Sequence, residues 1–323
     1  MTTPPGDGAL SSAAPARRLA TSDGTLELGG RRGPLIMGIV NATPDSFSDA
    51  GFHQTLPERV ALAAAQLADG AALIDIGGES GTTDRPAVSA EEEIARVVPV
   101  IRAVRAELDA RISVDTYKPS VARAAIGAGA SIVNDVSGLR DLELADVCAQ
   151  TGAGLVLMHT IAPPKQRLHD RALDGRIVDE VRRFLAQRIE LALARGMRLE
   201  QLMIDPGPDF SKTPAQSIDV LRSLGTLHEL GCPLLLAVSR KDFVGALTGR
   251  PPRERLGGTL GAVAHGLRAG AHMLRLHDVA SAHDFLTVLA ALEGTDGIDP
   301  ALQLEDRLRW ARAGVAATPR PSA

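Results

Sequence analysis

ISVDTYKPSVARAAIGAGASIVNDVSG, residues 112–138, holds one full structural period of this chain. The β-branched run at its start reads as a strand, and the polar turn after it leads into an alanine-rich stretch at helical spacing. Gly129-Ala130 then closes the helix, and SIVNDV begins the next strand. Glycine at that point fits a helix C-cap that opens a short loop back to a strand.

The same unit recurs in both directions. Strand candidates read LIMGIVN (35–41), ALIDIGG (72–78), RISVDT (111–116), SIVNDVSG (131–138), GLVLMHT (154–160), LMIDPG (202–207), PLLLAVSR (233–240) and MLRLHDV (273–279). A helical stretch follows each, and further Gly-Ala pairs stand at 70–71, 152–153 and 270–271, just before strands. Eight strand–helix units in series are what a single (β/α)8 TIM barrel requires. A doubly wound open sheet would carry a glycine-rich dinucleotide fingerprint after its first strand, and none stands there. Residues 1–24 read as a disordered leader, 25–294 as the barrel, and 295–323 as a tail with a short amphipathic helix at 301–313.

Composition narrows the functional classes. The chain has 323 residues, 45% hydrophobic and 23% charged, with a formal net charge of -4. That balance points to neither nucleic acid nor an anionic membrane as partner, so any anion site must be local. No apolar run approaches the roughly 18 residues of a membrane span, and no signal peptide is expected. Cys148 and Cys232 lie in apolar patterns without metal or redox spacing, which suits a reducing cytoplasm.

In a barrel the C-terminal strand ends form the active-site face. Here those ends carry Asn41 with Asp45, Asp75 with Glu79, Asp115, Asn134 with Asp135, His159, Asp205, Ser239-Arg240-Lys241, and Arg275 with His277-Asp278. Polar residues at every end point to a shared ligand. Asp115, Asn134 and Asp205 suit a flat heterocycle, whose amino group beside a ring N–H satisfies a carboxylate through two parallel bonds. Asp115 alone would equally suit an N-cap of the next helix. Arg275 and His277 share a face of the last strand, beside Asn41 on the first, and form a local anion site suited to phosphate. No HExxH or clustered His/Cys set points to built-in zinc. A magnesium ion held mainly by diphosphate and water would leave little trace in sequence.

At these residues the chain resembles the dihydropteroate synthase family. The resemblance rests on MGIVNATPDSFSDAG (37–51), IDIGGES (74–80), ISVDTYKPSVARAAIGAGASIVNDVSG (112–138), LVLMHT (155–160), IDPGPDFSKT (204–213), LLAVSRKDFVG (235–245) and GTLGAVAHGLRAGAHMLRLHDV (258–279). It implies a transferase of folate biosynthesis that joins 6-hydroxymethyl-7,8-dihydropterin diphosphate to p-aminobenzoate. By the same resemblance, Asp115, Asn134, Met158, Asp205, Phe210 and Lys241 hold the pterin. Asn41, Arg275 and His277 hold the diphosphate, with Asn41 on Mg²⁺. Phe47, Pro44, Arg85, Ser239 and Arg240 serve the p-aminobenzoate end. Asp115, Lys241, Arg275 and His277 are the catalytic group, and a cytoplasmic homodimer is implied.

The chain departs from the family pattern at several loops. Gly81-Thr82 replaces a Thr-Arg pair, with Arg85-Pro86 as its shifted equivalent. Thr160 replaces a methionine, and the Gln-Gly segment after it is missing. Pro208-Asp209 and Ser211 replace small or apolar residues around Phe210, and Asp242 replaces a serine. These changes leave open a pterin-binding paralogue with another acceptor or little activity. A methyltetrahydrofolate-binding methyltransferase barrel is a third reading, which the anion pair Arg275 and His277 opposes.

Overall fold

The computed structural model describes residues 14–30, 33–43, 55–81, 86–166, 168–294 and 298–309. Two short strands, β1 (Arg17–Thr21) and β2 (Gly24–Leu28), come first. The alternation then runs β3 (Leu35–Asn41), α1 (Leu56–Ala68), β4 (Leu73–Gly77), α2 (Ala90–Leu108), β5 (Ile112–Asp115) and α3 (Pro119–Ala128). It continues with β6 (Ile132–Asp135), α4 (Glu143–Thr151), β7 (Gly154–Met158), α5 (Ile177–Ala194), β8 (Leu202–Asp205) and α6 (Pro214–Arg222). It ends with β9 (Leu235–Leu236), α7 (Asp242–Thr248), α8 (Leu256–Arg268), β10 (Met273–Leu276) and α9 (Val279–Glu293).

Strands β3 to β10 form one parallel sheet in the order β8-β7-β6-β5-β4-β3-β10-β9. A parallel bridge between Ile204 and Leu234 joins its two edges, and the Ile204 amide donates to the Pro233 carbonyl at 2.9 Å. The sheet is therefore a closed barrel, as the eight-unit period predicts. Two of the four Gly-Ala pairs act as read: Gly129 and Gly152 are left-handed C-caps, with φ of 119° and 76°, while Gly70 and Gly270 each stand one residue beyond the C-caps Asp69 and Ala269.

Side chains on a strand alternate between the two faces. One face of the strands packs on the helices through Ile36, Val40, Ile74, Ile112, Val133, Leu155, Ile204 and Leu274. The other face fills the barrel floor with Met37, Leu73, Ile132, Val156, Met203, Leu235 and Met273. Two residues further along, that same inward row becomes Asp75, Asn134, Met158, Asp205 and Arg275. The period of two thus stacks a polar layer directly over an apolar one.

The expected leader boundary is corrected. Residues 17–28, of which 17–24 were assigned to the leader, pair as an antiparallel hairpin with Leu19 opposite Leu26. Leu19, Leu26 and Leu28 are buried against the floor residues of the barrel. The reason is local: the hairpin covers an apolar barrel end that would otherwise face water. The tail differs too. Its described part holds a single 3-10 turn, Asp306–Leu308, with Leu302, Leu304 and Leu308 exposed, and residues 310–323 lie outside the described residues. Among the described residues no helix is long and apolar enough to cross a membrane.

Because Leu19 is fully buried in the floor, Leu19→Ala should lower the unfolding free energy by about 2–5 kcal/mol. Urea denaturation checks this, and catalytic activity per folded molecule should not change.

Candidate active site

Asp75 lies at the centre of the barrel mouth and is fully buried. Its Oδ2 accepts from Arg275 Nε at 2.6 Å and from Asn134 Nδ2 at 3.0 Å. The same guanidinium donates from Nη2 to Asp115 Oδ2 at 2.8 Å. Arg275 on β10 therefore spans the mouth to carboxylates on β4 and β5. Asp75 Oδ1 has no hydrogen-bond partner among the described residues. A buried carboxylate persists only when paired, and removing one partner of such a pair costs about 3–5 kcal/mol.

Asp115 does not cap a helix, since the N-cap of α3 is Lys118. Burial pushes the Asp115 carboxyl up to about 7, with Arg275 opposing the rise. Asp115 and Asn134 stand side by side across β5 and β6, and Met158 and Asp205 across β7 and β8. Burial also raises the Asp205 carboxyl, opposed by the Gly207 amide that donates to its Oδ1 at 2.7 Å. Lys241 Nζ lies 4.2 Å from the centre of the Phe210 ring, a cation–π contact. Burial lowers its ammonium, opposed first by Asp209 and then by Asp205. Asp115 thus neighbours Asn134, Met158 neighbours Asp205, and Lys241 stands between the Phe210 ring and the carboxylates of Asp209 and Asp205.

The anion side is more committed than the sequence implied. Arg275 pairs with carboxylates, while His277 Nδ1 and its amide meet Ser239 Oγ at 2.9 and 3.1 Å. Asn41 ends β3, the strand paired with β10. Arg240 binds both oxygens of Asp278, at 3.0 and 2.6 Å, and so ties the β9–α7 loop to β10. Pro44, Asp45, Phe47 and Arg85 lie outside the described residues. Glu79 sits in a charge cluster: Lys118 Nζ reaches Glu79 at 2.6 Å and the buried Glu93 at 2.5 Å. Lys165 donates to the Ser80 carbonyl at 2.6 Å, holding the start of the altered loop from the β7–α5 side.

Some site-forming residues escaped sequence reading. Asp75 was visible as a polar strand end, but its link to both Asn134 and Arg275 was not. Lys212, buried, places Nζ 2.7 Å from His159 Nδ1, 2.8 Å from the Gly207 carbonyl and 3.1 Å from that of Phe210. Burial lowers the Lys212 ammonium to about 7, and burial with Lys212 holds His159 down at about 2. His159 is therefore a neutral internal brace rather than a mouth residue. Nothing in the local sequence singles out this lysine.

The substituted loop residues prove to be partners of one another. Thr160 Oγ1 lies 3.1 Å from Ser211 Oγ, which accepts from the Ala162 amide at 3.2 Å. Asp209 Oδ2 accepts from the amides of Asp242 and Phe243 at 2.5 and 3.2 Å. Among the described residues no group of three or more His, Cys, Asp and Glu stands in metal-binding geometry. The Asn41 side-chain amide has an oxygen of the hard-donor kind that magnesium takes.

Comparison with known proteins gives the lineage. The pterin binding enzyme family matches residues 37–277. The dihydropteroate synthase of Synechocystis is 41% identical over 259 residues, covering 80% of this chain and 89% of that protein. Dihydropteroate synthase of Xanthomonas albilineans, solved with 4-aminobenzoic acid, superposes with a TM-score of 0.78 at 42% identity, covering 86% of this chain and 98% of that one. The same enzyme solved with 7,8-dihydropteroate gives a TM-score of 0.75 at 42% identity, over 85% and 98% of the two chains. The chain belongs to the pterin-binding enzyme family and, within it, to the dihydropteroate synthases.

Arg275 opposes the protonation of Asp115, so its removal raises the Asp115 pKa further. In Arg275→Gln the acid limb of pterin binding should move to higher pH. Titration of 6-hydroxymethylpterin affinity against pH checks this, and an unmoved limb would disconnect the pair.

Proposed function

We propose that this enzyme condenses 6-hydroxymethyl-7,8-dihydropterin diphosphate with p-aminobenzoate, giving 7,8-dihydropteroate and diphosphate. The observation that supports the reading is the chain of neighbours at the strand ends: Asn134 beside Asp115, Asp115 bonded to Arg275, and Asp205 near Lys241. The carboxylates and the amide suit the amino and ring N–H edge of a pterin. Lys241 suits its carbonyl or ring nitrogen, and Phe210 and Met158 its flat faces.

The chemistry asks little covalent work of the protein. The bond from the pterin methylene carbon to the diphosphate oxygen breaks, and its electron pair leaves with diphosphate. Arg275 turns from Asp75 and Asp115 toward the departing charge, with His277 beside it. Asp115, released from the guanidinium, then faces a pterin that has become cationic and stabilises it. The neutral amine of p-aminobenzoate attacks the methylene carbon and loses one proton. No side chain forms a covalent intermediate. Asn41 would hold Mg²⁺, which when bound supplies charge neutralisation to the diphosphate.

Ser239 and Arg240 shape the acceptor side through His277 and Asp278, and Phe47 and Arg85 are assigned to p-aminobenzoate. A homodimer in the cytoplasm fits the exposed Leu247 on α7, Val288 and Leu292 on α9, and the two buried free cysteines.

Incubating the protein with both substrates and Mg²⁺ should yield 7,8-dihydropteroate, detected by mass. Chelation should abolish the product and Mg²⁺ restore it. Lys241→Ala and Arg275→Ala should each lower kcat/KM by about 100-fold or more. Tight binding of the pterin diphosphate without product would overturn the synthase reading.

A further inference from the structure

The β8–α6 loop holds two non-glycine residues in the left-handed region, Asp209 at φ 66° and Ser211 at φ 52°. Both side chains are committed to neighbouring loops. Ser211 joins Thr160 and Ala162 on the β7 side. Asp209 reaches the other way. Its Oδ2 accepts the first two amides of α7, while Oδ1 accepts from Ser217 Oγ of α6 at 3.0 Å. Ser217 Oγ also accepts the Asp209 amide at 2.9 Å.

Helix α7 needs this contact. Its N-cap residue is Lys241, whose side chain makes no capping bond. A carboxylate supplied from another loop satisfies the orphan amides and complements the positive helix end. From the opposite side, Arg255 Nη1 donates to the carbonyls of Arg240 and Lys241 at 2.8 and 3.1 Å, and to Asp242 at 3.0 Å. The backbone of Lys241 is thereby clamped on both flanks. Its Nζ projects over the ring of Phe210, the residue that directly follows Asp209. The charged groups around that ammonium are Asp205, Asp209 and Lys212 from β8 and its loop, Arg275 from β10, and Asp242 from α7.

We propose that Asp209 is a positioning residue for the pterin site, setting both the place and the ionic surroundings of Lys241. The proposal rests on the synthase reading above. Asp209 touches no substrate itself. It ties the loop bearing Phe210 to the helix bearing Lys241, so the cation and the ring that flank the pterin move as one body. It also adds a negative charge beside two buried ammonium groups, Lys241 and Lys212.

Two variants of the full chain separate these contributions. Asp209→Asn keeps an oxygen for the α7 amides, tolerates the left-handed backbone and removes the charge. Asp209→Gly suits the backbone and removes charge and cap together. Steady-state kinetics across pH, with thermal unfolding alongside, should show KM for the pterin diphosphate rising about tenfold in Asp209→Gly, with KM for p-aminobenzoate unchanged. In both variants the alkaline limb of kcat/KM should move to lower pH, because Lys241 loses a carboxylate that holds its proton. Combined with Lys241→Ala, Asp209→Gly should add little further loss.

A variant that only unfolds at lower temperature, with pterin KM and the alkaline limb in place, would reduce Asp209 to a structural brace and overturn the proposal. Calorimetric binding of the pterin diphosphate distinguishes the two levels of failure. A wild-type chain that neither binds nor converts it refutes the synthase reading and this proposal with it. Normal wild-type binding with unaltered variants refutes the proposal alone.

Discussion

The guanidinium of Arg275, held between Asp75 and Asp115, is the interaction around which the barrel mouth is arranged. Two carboxylates and a cation are taken out of water there, and each would be costly unpaired. Asp75 in turn orients Asn134. Four strands are thus tied by a single charge network above a mostly apolar floor. In the proposed reaction this network supplies both a cation for the leaving diphosphate and a carboxylate for the pterin.

This arrangement divides the barrel by height. The lower inward row, with the hairpin β1–β2 beneath it, is Leu, Ile, Val and Met, and contributes stability through burial. The upper row, two residues further along the same strands, carries Asp75, Asn134, Asp205 and Arg275. Function is therefore confined to the end where the loops can vary, while the opposite end is sealed.

The loop departures form a coherent set rather than scattered losses. Thr160 meets Ser211, and Asp209 meets the start of α7. Left-handed non-glycine residues cost roughly 1–2 kcal/mol each, and side-chain bonds to neighbouring loops offset that cost. Lys212 gathers the carbonyls of Gly207 and Phe210 around one buried ammonium, so the β8–α6 loop is braced from inside as well.

The fold was legible in the chain itself, because hydrophobic periodicity and strand-end polarity are local properties that repeat eight times, with glycine marking several of the helix ends. All eight barrel strands fall within the predicted runs, and of the polar residues named at their ends Asp75, Asp115, Asn134 and Arg275 are joined in one hydrogen-bonded network. The hairpin was misread because residues 17–21 lie beside a Pro- and Ala-rich leader, and its apolar alternation gains meaning only against the barrel floor. His159 was read as a mouth residue because sequence shows that a strand end is polar, not which way it points. The pairings of Arg275 with Asp75 and Asp115, Lys212 with His159, and Asp209 with α7 join residues 33 to 200 positions apart. Strand order and barrel closure alone bring such distant groups within bonding distance, so only the tertiary structure could decide them.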